Sequence, residues 1–269
     1  MKLAILMEDT CGNPQCRSEH GLSVYIETNK HRLLVDTGAT DAFLENAEVL
    51  GIDLKKVDTL ILSHGHYDHA GGILAFREVN PDAEIYMQRS AAEDYYHGER
   101  YIGIDKRITG LSRVHLLDGD WRIDEELFLF SKITGRKYFA KSNLLLSKRV
   151  DGKNKQDSFG HEQCLVIAQG QEHTLVSGCA HNGILNILSR YQELFADEPK
   201  TVVSGFHMMK KGAYTQEETE MIQETAKQLA RMDTVFYSGH CTGSPAMALM
   251  APILQEKLIE IHSGMQICG

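Results

Sequence analysis

Short apolar runs alternate with amphipathic stretches along the whole chain. MKLAILM reads as a first strand. LSVYIET and HRLLVDTG follow as two more, separated by a turn at Asn29-Lys30. A helical pattern begins near Asp41 in DAFLENAEVLG and stops at Gly51. The buried strand DTLILS then runs into SHGHYDHAGG, and a strand near AEIYM and a helix from Ser90 continue the alternation. In the second half, HTLVSG leads into CAHNG and the helix ILNILSRYQELF, and KTVVSG leads into FHMMKKG. Thr215-Gln216-Glu217-Glu218 is a capping box that opens the next helix. DTVFYSG leads into HCTGS, and a last helix opens at Ser244-Pro245. Strands and helices taking turns in this way predict an α/β fold.

One pattern recurs. DTLILSHGH, HTLVSGCAH, KTVVSGFH and DTVFYSGH are each a short buried strand that ends in histidine. The spacings are uneven, which excludes a solenoid repeat. Four strands therefore deliver histidines at their carboxyl ends, where α/β folds place ligand sites. Hairpin arithmetic adds further residues. If EQCLVIA and HTLVSG pair about the turn QGQE, His161 lies opposite roughly residue 180, so His161, Cys179 and His181 converge. The same construction about Asn29-Lys30 places Glu19-His20 just beyond Asp36.

Composition narrows the class. The 269 residues, 42% of them apolar, suffice for a sizeable core, and the lack of a Ser/Gly-rich linker favours a single domain over 1–269. A net charge of −9 argues against general attraction to nucleic acid. No apolar run is long enough to span a membrane, the amino terminus does not read as a signal peptide, and a cytoplasmic location is expected. The six cysteines are too sparse for a disulfide scaffold. Cys11 and Cys16 could pair in CGNPQC, with reduced thiols the expected state in a cytosolic chain.

The chemistry concentrates in His64-Gly65-His66-Tyr67-Asp68-His69, four metal-ligating side chains in six residues. Imidazole nitrogen and carboxylate oxygen suit zinc first and accept manganese or iron. Gly65 lets the backbone turn so that His64 and His66 address one ion, while Asp68 and His69 face a second. Gly71-Gly72 lets the loop pass close to its neighbours. Four residues cannot complete two coordination shells, so His161, His181 and His240 are the candidates from afar.

The motifs Asp36-Thr37-Gly38 and HGHYDH resemble those of the metallo-β-lactamase superfamily. EHGLSVYIE, FGHEQ, SGCAHNGI, GFH and SGHCTG are similar to its dihydropteroate-synthase-like, or pterin-ribofuranosylaminobenzene-phosphate-synthase-like, branch. The resemblance implies an αββα sandwich with a metal site at one rim of two facing mixed sheets. It implies two divalent ions, one held by His64, His66 and either His161 or His181, the other by Asp68, His69 and His240. Asp36 then supports the ligands by hydrogen bonding, with Cys179 and His20 beside them. Many members bridge the ions with an aspartate where this chain has Cys179, which leaves water or hydroxide as the bridge.

Such a site activates water for hydrolysis at an acyl or phosphoryl centre. Asp68, His207 and His181 are the candidate catalytic groups for orienting the nucleophile, transferring protons or contacting the oxyanion. Lys132, Arg136, Lys137, Lys141, Lys148, Arg149, Lys153 and Lys155 precede His161, and Lys210-Lys211 follow His207, which suggests a small anionic substrate such as a phosphoester or lactone. Tyr138 and Phe139 would suit a stacked ring. A pterin-phosphate synthase-type transferase and a non-catalytic metal sensor are the alternatives. A nuclease is disfavoured by the acidity and a redox di-iron centre by His161. A homo-oligomer is compatible with the sequence. His31, His97, His115, His173 and His262 are expected in surface or turn roles, and Trp121 and the methionines in the core.

Overall fold

Pairing about Asn29-Lys30 follows the expected register, with Val24 opposite Val35 and Glu27 opposite Arg32. Pairing about QGQE does so too, with Leu165 opposite Val176 and Gln169 opposite Glu172. The structure is a computed structural model that describes residues 1–268. The chain divides into two compact units.

The first unit comprises Met1–Gly119, Lys148–Lys155 and the terminal segment from Ile261. Its seven-stranded sheet runs in the order Gln266–Cys268, Lys2–Met7, Ser23–Glu27, Arg32–Val35, Thr59–Ile61, Glu84–Gln88, Val114–Leu117. The first four are antiparallel neighbours, and from Arg32–Val35 onward the pairing is parallel. Parallel strands need crossovers, which the helices Ala42–Val49 and Ile73–Val79 supply. Phe43, Phe76 and Ile73 pack from these helices onto Leu6, Leu60, Ile85 and Met87. Each such side chain contributes about 1.5–3 kcal/mol on burial. Asp41 makes no side-chain cap for the first helix. Instead the Glu19 carboxylate accepts from the backbone N–H of Ala39 and Thr40.

The helix expected from Ser90 does not form. Arg89–Ala92 is a single 3-10 turn, and the chain goes on to a hairpin of Tyr95–His97 with Arg100–Tyr101. Two tyrosines with strong strand preference outweigh the helical pattern, Gly98 at φ +60° makes the turn, and the buried Tyr95 donates its hydroxyl to the Ser90 carbonyl at 2.7 Å.

The second unit comprises Asp120–Ser147 and Gln156–Glu260. Its sheet runs in the order Leu258–Glu260, Val235–Ser238, Thr201–Val203, Glu172–Val176, Cys164–Gln169, Leu127–Phe130, Trp121–Arg122. The first four strands are parallel neighbours and the remaining pairings are antiparallel. Helices Ile184–Phe195, Gln216–Leu229 and Ser244–Leu254 pack Ile187, Tyr191, Ile222, Ala226 and Met250 into its core. The capping box at Thr215 and Glu218 is fully formed. Trp121, expected in the core, is instead 50% exposed. It lies on a two-residue strand at the sheet edge, where the layer ends. Met87, Met208, Met247 and Met250 are buried as expected. Each unit is thus a mixed sheet with helices, the α/β class that the sequence predicts.

Candidate metal centre

In the first unit the site grows from the carboxyl ends of two adjacent parallel strands, Arg32–Val35 and Thr59–Ile61. Asp36 follows the first of these at φ +60°, a left-handed conformation that a non-glycine residue adopts only under constraint. Its fully buried carboxylate accepts three hydrogen bonds. The Ser63 backbone N–H donates to Oδ1 at 2.7 Å, the Ser63 hydroxyl to Oδ2 at 2.6 Å, and His69 Nδ1 to Oδ2 at 2.6 Å. A hydroxyl carries one proton. Since Ser63 Oγ gives its proton to Asp36, it accepts from His64 Nδ1, which lies 2.9 Å away. One carboxylate therefore sets the Nδ1–H tautomer of His69 directly and of His64 through Ser63. Nε2 is then the lone-pair nitrogen of both rings.

His64, His66, Asp68 and His69 are all buried. The His64 ring centroid lies 4.6 Å from that of His66 and 4.2 Å from that of His69. Ligand atoms of Asp36, His64 and His69 lie within 4.8 Å of one another. The Asp68 Oδ2 is 3.8 Å from His69 Nε2 and 3.5 Å from Nε2 of His20, a half-exposed ring whose Nδ1 bonds Asp9 at 2.8 Å. Two glycines allow this density. A Cβ on Gly65 would meet the Ala91 carbonyl oxygen at 2.4 Å, and one on Gly71 the Ala39 carbonyl oxygen at 2.0 Å. Buried imidazoles with tautomers fixed by a carboxylate, beside a second carboxylate, form a donor set that fits a divalent cation.

The second unit carries its candidates at strand ends too. Phe159, Ala180, His207 and His240 all adopt left-handed backbone angles, at φ of 55°, 50°, 49° and 49°. His161 is buried with Nε2 3.1 Å from Asp157 Oδ2. His181 is buried with Nδ1 3.0 Å from Asn143 Oδ1, while the Asn143 amide donates to the His181 carbonyl at 2.8 Å. That reciprocal pair makes Nε2 the lone-pair nitrogen of His181. Phe159 stacks on the same ring at 4.7 Å and 3°. His207 packs against His181 at 4.0 Å between centroids, and its Nδ1 lies 3.1 Å from Ser142 Oγ. Cys179 and His240 are buried, and Cys241 Sγ reaches the Cys179 carbonyl at 3.5 Å.

Glu162 holds the His181 turn. Its carboxylate accepts from the His181 N–H at 2.6 Å, the Asn182 N–H at 3.0 Å and the Asn182 amide at 2.8 Å. Burial pushes this carboxyl above its ordinary value, and the Asn182 and His181 bonds and nearby His161 oppose the rise. Burial likewise pushes the Cys164 thiol well up. Arg136 clamps the loop by donating to the Ile133, Gly135 and Ser158 carbonyls and to Asn182 Oδ1.

Ser63, Asn143, Asp157, Phe159, Glu162 and Asn182 are absent from the residues singled out by sequence. Ser63, Phe159, Glu162 and Asn182 lie inside the motifs SHGHYDHAGG, FGHEQ and SGCAHNGI without a role of their own, while Asn143 and Asp157 stand outside them. Of the basic residues before His161, Lys141 and Lys148 are paired with Glu217 and Glu93, and Arg149 lies over the Tyr96 ring at 4.0 Å. His31, His115 and His262 bond Asp58, Glu84 and Thr10, and His173 bonds Tyr191, so these histidines have structural partners. Among the described residues no helix is long and apolar enough to cross a membrane.

Comparison with known proteins adds to this geometry. The family model for the metallo-beta-lactamase superfamily matches residues 18–135. An uncharacterized protein of Methanocaldococcus jannaschii is 28% identical, covering 88% of this chain and 89% of its own. The 7,8-dihydropterin-6-methyl-4-(beta-D-ribofuranosyl)-aminobenzene-5'-phosphate synthase of the same organism is 26% identical, covering 98% of this chain and 95% of its own. The crystal structure of a metal-dependent hydrolase of the beta-lactamase superfamily superposes with a TM-score of 0.84 at 30% identity, covering 100% of this chain and 99% of that one.

Proposed function

We propose, given that this chain belongs to the metallo-beta-lactamase superfamily, that it is a metal-dependent hydrolase of a small anionic phosphoester, lactone or ester. The observation that carries the reading is the Asp36 network, which gives His64 and His69 the same ligand tautomer from one buried carboxylate. The metal set is His64 and His66 with His161 or His181 for one ion, and Asp68, His69 and His240 for the other, with zinc the preferred metal. A divalent ion in such a site lowers the pKa of its water toward about 7 and stabilises charge on the oxygen under attack.

The chain's own groups supply the rest. Asp68 would orient the water by accepting a hydrogen bond from it, and His20 supports Asp68 from the solvent side. His181 and His207, ring against ring, offer proton transfer or oxyanion contact, and Ser142 holds the His207 ring. Arg136 and Lys137 bond only neutral groups among the described residues, so their charge is retained to attract an anion. A pterin-phosphate synthase-type transferase is the second reading, favoured by the synthase relative that spans nearly the whole chain.

The test is turnover of p-nitrophenyl phosphate, bis-p-nitrophenyl phosphate and a lactone panel before and after chelation, with His66→Ala as control. Hydrolysis lost on chelation and restored by zinc supports the proposal. Absence of metal-restored turnover across the panel rejects it in favour of the transferase or of a metal sensor.

A further inference from the structure

The loop CGNPQC contains none of the proposed ligands, yet it holds two thiols in one tight turn. Cys16 N–H donates to the Asn13 carbonyl at 2.8 Å, and Gln15 N–H to Asn13 Oδ1 at 3.0 Å, so the chain folds back on itself between the cysteines. Cys11 Sγ lies 2.8 Å from the Asn13 carbonyl and 3.1 Å from the Cys16 carbonyl. Both cysteines are free thiols, Cys11 exposed and Cys16 buried. The turn is anchored rather than loose: Gly12 and Asn13 donate to the Ser263 carbonyl, and Ser263 donates to the Thr10 carbonyl. We propose that Cys11 and Cys16 are a thiol–disulfide site, closed by a low-molecular-weight disulfide such as oxidised glutathione, whose state is felt at the metal loop.

The step balances as ordinary exchange. The Cys11 thiolate attacks oxidised glutathione and one glutathione thiolate leaves. The Cys16 thiolate then attacks the Cys11 sulfur, the second glutathione leaves, and two protein thiols have lost two electrons and two protons. Burial, and then neighbouring Cys11, push the Cys16 thiol up. Exposed Cys11 is therefore the attacking group and Cys16 the resolving one. The link to the metal loop is short. Asp9, two residues before Cys11, bonds His20 Nδ1 at 2.8 Å, and His20 Nε2 faces Asp68 Oδ2 at 3.5 Å.

Both cysteines fall in one tryptic peptide, residues 3–17. The metal-replete protein is incubated with oxidised glutathione and that peptide is weighed. The expected result is a mass loss of about 2 Da, reversed by dithiothreitol, with Cys11→Ser abolishing the loss and Cys16→Ser leaving a stable glutathione adduct on Cys11. Proton NMR of the same samples, with His20→Gln to assign the resonance, should show the His20 imidazole signal displaced on oxidation. A peptide that gains glutathione but never closes overturns the disulfide. A closed disulfide with an unmoved His20 signal overturns the coupling. Neither readout requires hydrolysis, so both stand or fall apart from the proposed activity.

Discussion

The Asp36 carboxylate and the His69 imidazole, both fully buried, meet through Oδ2 and Nδ1 at 2.6 Å. A backbone N–H, a hydroxyl and an imidazole all converge on that one carboxylate, so its removal disturbs two histidines at once. Asp36→Asn is expected to weaken zinc binding about 10–100-fold, measured by competition with a chromophoric chelator. Unchanged affinity would show that the tautomers are set by other means.

Ser63 is the relay to His64. Ser63→Ala should weaken zinc less than Asp36→Asn does, because His69 keeps its partner. The two substitutions should also be non-additive, since the second cannot break a relay that the first has already cut. Simple additivity of the two free-energy losses would argue that Ser63 acts independently of Asp36.

Glu162 secures the His181 turn from the facing arm of the hairpin, at its open end. Glu162→Gln keeps the shape but turns an amide N–H toward a backbone N–H, at a cost of about 1–3 kcal/mol. Urea unfolding should show that loss at an unchanged slope. Full stability in the variant would mean that the turn holds without the carboxylate.

Lys210, and then the Thr215 N–H, hold the Glu218 carboxyl down from 4.5 to about 2. A depressed carboxyl stabilises the fold fully above its ordinary value and loses that contribution as pH falls toward about 2. Glu218→Gln should therefore cost about 1 kcal/mol at neutral pH, and the gap from wild type should shrink between about pH 4.5 and 2. A gap that stays constant over that window would assign the effect to packing.

The sequence made the repeated strand-to-histidine pattern legible because the signal is local. An apolar run followed by Gly or Ser and histidine needs no long-range information, and a period of two in each hairpin fixes who faces whom. His161 opposite residue 180 follows from the pairing of Leu165 with Val176. The supporting side chains were not legible for the opposite reason. Asn143 and His181 are 38 residues apart, and Asp36 and Ser63 are 27 apart. No periodicity links such pairs before the fold brings them together. Trp121 and the Ser90 segment misled because a hydrophobic residue at a sheet edge, or a polar run before two tyrosines, has its fate decided by what happens to pack beside it.

Zinc stoichiometry is the most direct test, measured by elemental analysis on wild type, His66→Ala and His240→Ala after equilibration with excess zinc and desalting. Two ions per chain in wild type are expected, with one lost in each variant, because His240 and the loop bearing His66 are proposed to contribute to a common centre. Wild-type protein that retains no zinc, or a His240→Ala variant that retains the full complement, would contradict it.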